Sequence, residues 1–161
     1  MTGRCFVDSN VLVYADDRSA GPKRYQARKL IQEVMRAKTG VLSLQVLQEY
    51  FSVATKKLGI SAVGARQRVE LLSRLDVVIL GVPDLLVAID LHRLHSLSIW
   101  DALVVRAALN AGCRVLYSED LQDGQEIDGL RIVNPFAHEP EGSLFASGDT
   151  VPRAGLRAPR S

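Results

Sequence analysis

RCFVDSNVLVY, residues 4–14, is a short apolar run that stops at Asp8 and passes at once into an apolar pattern of helical spacing. It reads as a buried strand that delivers a carboxylate to the start of a helix. A buried strand this close to the N-terminus takes a central place in an α/β sheet, and ligands of such sheets collect beyond the carboxyl ends of the strands. Asp8 falls at that point. Asp, Ser and Asn all cap helices by accepting bonds from unpaired amides, so Asp8, Ser9 or Asn10 taken alone implies no more than a cap. A functional reading depends on what else in the chain meets Asp8.

Past the Ala20-Gly21-Pro22 break, Tyr25, Leu30, Ile31, Val34 and Met35 recur at helical spacing, with Lys23, Arg24, Arg28, Lys29 and Arg36 elsewhere on the same surface. Gly40 closes that helix and Val41 to Leu44 reads as a second strand. A helix from Gln45 to Leu58 carries Glu49 and ends at Gly59, a glycine cap. Ser61 to Leu75 predicts a further amphipathic helix, and Val77 to Leu80 a third apolar strand. Pro83 suits the first turn of a helix from Asp84 to Leu94, where proline forfeits no hydrogen bond. A bend at Ser96 to Ser98 leads to Trp100-Asp101 and a helix from Ala102 to Ala111, stopped by Gly112. The strand Arg114 to Tyr117 follows and ends in Ser118-Glu119-Asp120. A polar loop containing Asp123 and Gly124 leads to a last strand, Arg131 to Val133.

Strands separated by helices predict a mainly parallel sheet covered on both faces, an α/β class chain of three layers, α/β/α. With 161 residues and 47% hydrophobic content, one sizeable core and one domain are expected, over residues 1–137. Residues 138–161 are rich in Pro, Gly, Ser and Arg without an apolar period, and read as a flexible tail. The net charge of +2 neither requires nor excludes a nucleic-acid partner. Cys5 and Cys113 fall in apolar runs and are expected as buried, reduced thiols rather than a disulfide framework. There is no secretory signal pattern and no apolar stretch of membrane-spanning length, so the expected location is cytoplasmic, away from membranes.

Four carboxylates are expected at one sheet edge. Glu49 lies about one helical turn beyond the second strand, and Asp120 just past the strand ending at Tyr117. Asp101 opens a helix that runs back along that strand, which puts its start at the strand's far end. Each acid alone has an ordinary role, as a helix-dipole partner, a surface residue or a turn former. Together with Asp8 they would repel one another and raise each other's pKa unless a cation neutralised them. Oxygen ligands without His or Cys favour Mg²⁺ or Mn²⁺ over zinc. Asp8 and Asp101 are the expected direct ligands, with Glu49 and Asp120 holding metal-bound water or a second ion. Such a site suits phosphodiester hydrolysis.

FVDSNVLVYA, LQEYFSVATKK, SIWDALVVRAAL and LYSEDLQDGQ, in this order and spacing, resemble the PIN-domain nucleases, and more closely the VapC-type ribonuclease toxins of bacterial toxin-antitoxin pairs. The resemblance runs from Arg4 to Phe136. It implies a PIN-like fold and an acidic quartet at Asp8, Glu49, Asp101 and Asp120. It also implies Mg²⁺-dependent cleavage of RNA, homodimerisation and inhibition by a cognate antitoxin. Ser118 and Asp120 match the family's usual fourth motif; Asp123 is an extra acid without an assigned role.

His92 and His95, three residues apart on one helix, lack a third metal ligand and are read as surface or dimer residues. Trp100 is expected to pack beside the site. Ser9 and Ser118 either orient carboxylates or cap. The cations of Lys23 to Lys29, Lys56-Lys57 and Arg66-Arg68 either border the crevice and hold RNA phosphates or line solvated helix faces. Three alternatives stand beside a toxin nuclease: a housekeeping RNA-processing nuclease, a degenerate PIN domain that only binds RNA or protein, and a phosphotransfer protein using Asp8 as acceptor. Phosphatases of the last kind favour a second Asp two residues on, where this chain has Asn10.

Overall fold

The structure is a computed structural model that describes residues 3–137; the expected tail lies outside the described residues. The elements in order are β1 (Cys5–Val7), α1 (Ser9–Asp16), α2 (Pro22–Ala37), β2 (Gly40–Ser43), α3 (Leu44–Lys56), α4 (Ala62–Leu72), β3 (Asp76–Val78), α5 (Val82–His95), α6 (Ile99–Asn110), β4 (Val115–Tyr117), β5 (Glu126–Ile127) and β6 (Leu130–Val133). They form one sheet in the order β3-β2-β1-β4-β6-β5, parallel throughout except where β5 meets β6. β1 is central, as residues 4–14 require, and all three of its side chains are buried.

From β1 the chain steps outward through β2 to β3, then crosses back to β4 on the other side of β1. Right-handed crossovers put α1 to α4 on one face and, because the return runs the other way, α5 and α6 on the opposite face. The packing of α1 on α2 and α3, of α3 on α4, and of α5 on α6 agrees with this. The expected three-layer arrangement is therefore present. The reversal of strand order between β1 and β4 opens a crevice at their carboxyl ends.

The expected boundaries move where packing overrides local pattern. Gly40 is not the end of a helix but the buried first residue of β2. α2 stops at Ala37, and Lys38 takes the left-handed conformation at its C-cap. A Cβ at Gly40 would lie 2.9 Å from Val34 Cγ2 and 3.0 Å from Leu75 Cδ2, so α2 can approach the sheet only against a glycine. Leu44 belongs to α3 and is exposed. The third strand starts one residue and ends two residues earlier than its apolar run suggested: Asp76 pairs with Val41 of β2, and its carboxylate bonds Arg4. α6 begins at Ile99 rather than Ala102, capped by the Ser98 hydroxyl.

The sequence reading missed β5. It forms an antiparallel hairpin with β6 through Asp128-Gly129, both at positive φ (50° and 85°). That pair is the turn dipeptide favoured where two central residues must take positive φ, and its signal was present in EIDGLRIV. Cys5 and Cys113 are both buried free thiols, as expected. Among the described residues no helix is long and apolar enough to cross a membrane.

Candidate active site at the carboxyl edge of the sheet

Asp8 follows β1 directly, and its backbone N–H extends the ladder to the Tyr117 carbonyl at the end of β4 (3.0 Å). Its side chain is buried at the switch point. Oδ1 accepts from the Ser9 amide (2.7 Å) and Oδ2 from the Ser118 hydroxyl (2.7 Å). Asp8 is thus itself the N-cap of α1. The sequence left Ser9 or Asn10 equally eligible, but both are engaged elsewhere. The Ser9 hydroxyl donates to Glu49 Oε2 (2.8 Å), and the Asn10 amide reaches Asp120 Oδ2 (3.1 Å).

Glu49 stands on α3, whose start is fixed by the buried Ser43 hydroxyl accepting from the Val46 amide (3.3 Å). One turn earlier on the same helix, Gln45 donates from Nε2 to Glu49 Oε1 (2.8 Å) and to the Trp100 carbonyl (3.3 Å). Gln45 thereby joins α3 to the start of α6. Asp101 lies in the first turn of α6, with its amide donating to Ser98 Oγ (3.0 Å). Asp120 follows β4, its amide held by Ser118 Oγ (3.2 Å).

The four acids share one electrostatic environment. Burial pushes the Asp8 carboxyl up to about 6, and the charges of Glu49 and Asp120 add to the effect, against the Ser118 and Ser9 bonds that lower it. Burial also raises Asp101, again with Asp120 and Glu49 contributing. None of the four is in an ion pair with Lys or Arg among the described residues. Nor, among those residues, does any set of three His, Cys, Asp or Glu side chains come close enough to enclose an ion. Ser9, Asn10, Gln45 and Ser118 hold oxygens of Asp8, Glu49 and Asp120. A hard divalent cation fits this donor chemistry, being an excess of oxygen anions with no soft ligand and no countering side-chain cation.

Other expectations resolve individually. Asp123 is not a site acid: its Oδ1 accepts from the Asn134 amide (2.8 Å) and closes the loop before β5. His92 bonds the Leu97 carbonyl through Nδ1, which ends α5 rather than binding metal. Trp100, expected to pack beside the site, is 63% exposed, and its carbonyl accepts from Gln45, which also bonds Glu49. Of the weighed cations, Lys23 pairs with Glu119, Arg28 with the Ala15 carbonyl, Arg66 with Glu70 and Arg68 with Asp16. Lys57, together with Arg18, instead lines a cleft of about 940 Å³ that begins at Ser9, Asn10 and Asp120. The sequence reading missed Gln45 and gave Asn10 no part in holding the acids. An amide side chain gives no sequence signal of its own when its partners lie far along the chain.

The fold and this edge define an α/β/α domain with an acidic crevice at its switch point. The chain belongs to the PIN domain family, which it matches over residues 5–125. Among solved structures it is similar to a toxin-antitoxin complex from Klebsiella pneumoniae, with a TM-score of 0.61 at 19% identity, over 82% of this chain and 98% of that one. It is also similar to Mycobacterium tuberculosis VapC20, a toxin that cleaves the sarcin-ricin loop, with a TM-score of 0.58 at 17% identity, over 71% of this chain and 88% of that one. No curated protein matches it in sequence.

Proposed function

We propose that the chain is a divalent-cation-dependent endoribonuclease that serves as the toxin of a toxin-antitoxin pair, acting in the cytoplasm. The observation that carries this reading is the meeting of Asp8, Glu49, Asp101 and Asp120 at one sheet edge of a PIN domain, with no side-chain cation paired to any of them among the described residues. The likeness to a toxin-antitoxin complex and to a sarcin-ricin-loop-cleaving toxin supports RNA as substrate and an antitoxin protein as partner. Residues 1–137 are read as the nuclease domain and 138–161 as an appended tail.

Asp8 and Asp101 would hold Mg²⁺ or Mn²⁺ directly, with Glu49 and Asp120 acting through water or a second ion. Such an ion, when bound, polarises a phosphoryl oxygen and lowers the pKa of an attacking water. The protein's own contribution is orientation. Ser9 and Ser118 fix the two oxygens of Asp8, while Ser9 and Gln45 fix those of Glu49. Asp120 is exposed, and the oxygen not engaged by Asn10 is available to accept a proton from water. The phosphoacceptor alternative is disfavoured because the position two residues beyond Asp8 holds Asn10 rather than a second Asp. A degenerate binding module is disfavoured because none of the four acids is missing or neutralised.

A second copy of the chain is the proposed homodimer partner. α5 carries apolar residues around its whole circumference, interspersed with Asp84, Asp90, His92, Arg93 and His95, yet only Ala88 and Leu91 are buried, while Val82, Leu86 and Leu94 are exposed at 69%, 59% and 77%. Exposed apolar side chains gathered on one helix mark a surface suited to a protein partner.

The test is to incubate the protein with total RNA and Mg²⁺, beside Asp8→Asn, Asp101→Asn and an EDTA control. Cleavage is expected from the unaltered chain alone. Cleavage that survives both substitutions would sink the assignment.

A further inference from the structure

Asn10 makes more contacts in the crevice than its place in a helix requires. From the first turn of α1 its Nδ2 lies 3.3 Å from Asp8 Oδ2, 3.3 Å from Ser118 Oγ and 3.1 Å from Asp120 Oδ2. Its Oδ1 accepts from the Glu119 amide at 3.3 Å. The orientation of the amide follows from these partners. Turned over, its oxygen would face two carboxylates and its nitrogen would meet an N–H donor, so the surroundings admit only one arrangement.

Three acceptors share an NH₂ group that has two hydrogens, and two of the three are carboxylates from opposite sides of the switch point. A residue needed only to start α1 would bond locally. Asn10 instead ties α1 to the segment after β4, 108 to 110 positions away. The chemistry of the link also matters. A Lys or Arg here would offset the repulsion between Asp8 and Asp120 by neutralising them, and would compete with any bound cation. A neutral amide holds the same two carboxylates together and leaves their charge available.

We propose that Asn10 is a positioning residue that sets the spacing of Asp8 and Asp120 and thereby how tightly the site holds a divalent cation. This rests on the cation-dependent reading above. The residue touches neither substrate nor reacting atoms in this role; it acts through the two acids it bridges.

Calorimetric titration of the full chain with Mn²⁺ alone tests this, because it needs no RNA. Asn10→Leu keeps the branched shape without hydrogen bonds, Asn10→Ala removes both, and Asn10→Ser retains a shorter donor. Mn²⁺ affinity should fall roughly tenfold or more in the Leu and Ala variants, the range typical of groups that orient metal ligands, with Ser in between. On RNA, kcat should fall while KM stays unchanged. Thermal unfolding identifies any variant that fails to fold, and the remaining ones still decide. Equal Mn²⁺ affinity in the unaltered chain and its folded variants overturns the proposal. An unaltered chain that binds no Mn²⁺ overturns the cation-dependent reading and this one with it. Mn²⁺ binding that depends on Asn10 without any RNA cleavage supports the positioning role while sinking the nuclease assignment.

Discussion

Ser118 donates its hydroxyl proton to Oδ2 of Asp8 across 2.7 Å and 110 positions of sequence, closing the crevice between the two central strands. Both residues are buried, and each stands one position beyond its strand. The bond makes two loops, after β1 and after β4, into one rigid edge.

Its loss should be visible in the titration of Asp8. Burial raises that carboxyl, and the Ser118 bond is the largest effect drawing it back down. Ser118→Ala should therefore move the Asp8 pKa above its present value of about 6. Carboxyl-carbon NMR titration of the ion-free protein reads this directly, and an unchanged midpoint would contradict the bond's electrostatic role.

The same carboxyl dictates how stability depends on pH. An acid whose pKa is raised from 3.8 to about 6 costs the fold nothing while protonated. The cost grows as pH climbs from near the lower value and is complete above the upper one. The limit is about 3 kcal/mol at 1.36 kcal/mol per unit. Without divalent ions, Asp8→Asn should gain at least about 1 kcal/mol over the unaltered chain between pH 5 and pH 7.5. Added Mg²⁺ should close the gap by stabilising only the unaltered chain. Denaturant unfolding at the two pH values checks both, and a difference that ignores pH would refute the account.

Gly40→Ala addresses the close approach of α2 to β2. The new methyl would press on Val34 and Leu75, and the expected loss is about 1–3 kcal/mol, as for other overpacked cores. Because Gly40 lies at the opposite strand end from the acids, RNA cleavage by the folded fraction should be unaffected. A thermal melt and a cleavage assay on the same sample separate the two effects.

Leu86→Glu tests the exposed face of α5. Placing a charge on that face should convert a dimer to a monomer in sedimentation or light scattering, while leaving the monomer's fold intact because Leu86 is already 59% exposed. If the unaltered chain is itself monomeric at working concentration, the second-copy reading of α5 fails.

Much of this architecture was legible in one dimension. The run from Arg4 to Tyr14 announced a central strand, the alternation of apolar strands with helices announced the parallel sheet, and glycine and proline marked most breaks. What was misread involved competition between local pattern and packing. Gly40 has the look of a helix stop, yet only the contacts with Val34 and Leu75 make it the first residue of a strand. β5 was passed over because two residues are too few for any periodicity, although Asp128-Gly129 marked its turn.

The four carboxylates of the proposed site could be picked out because Asp8 and Asp120 follow strand ends, Asp101 opens a helix and Glu49 lies early in one, and an alternating α/β chain sends such points to one edge. The neutral groups between them were not. Asn10 meets Asp120, Gln45 meets the Trp100 carbonyl, and Ser118 meets Asp8, all pairs separated by 55 to 110 residues. Composition and spacing determine which elements form and where their polar ends fall, because those depend on interactions within a few residues. Which oxygen each donor takes, and therefore which of DSN caps the helix and which holds the next acid in place, depends on distances that exist only once the sheet has closed.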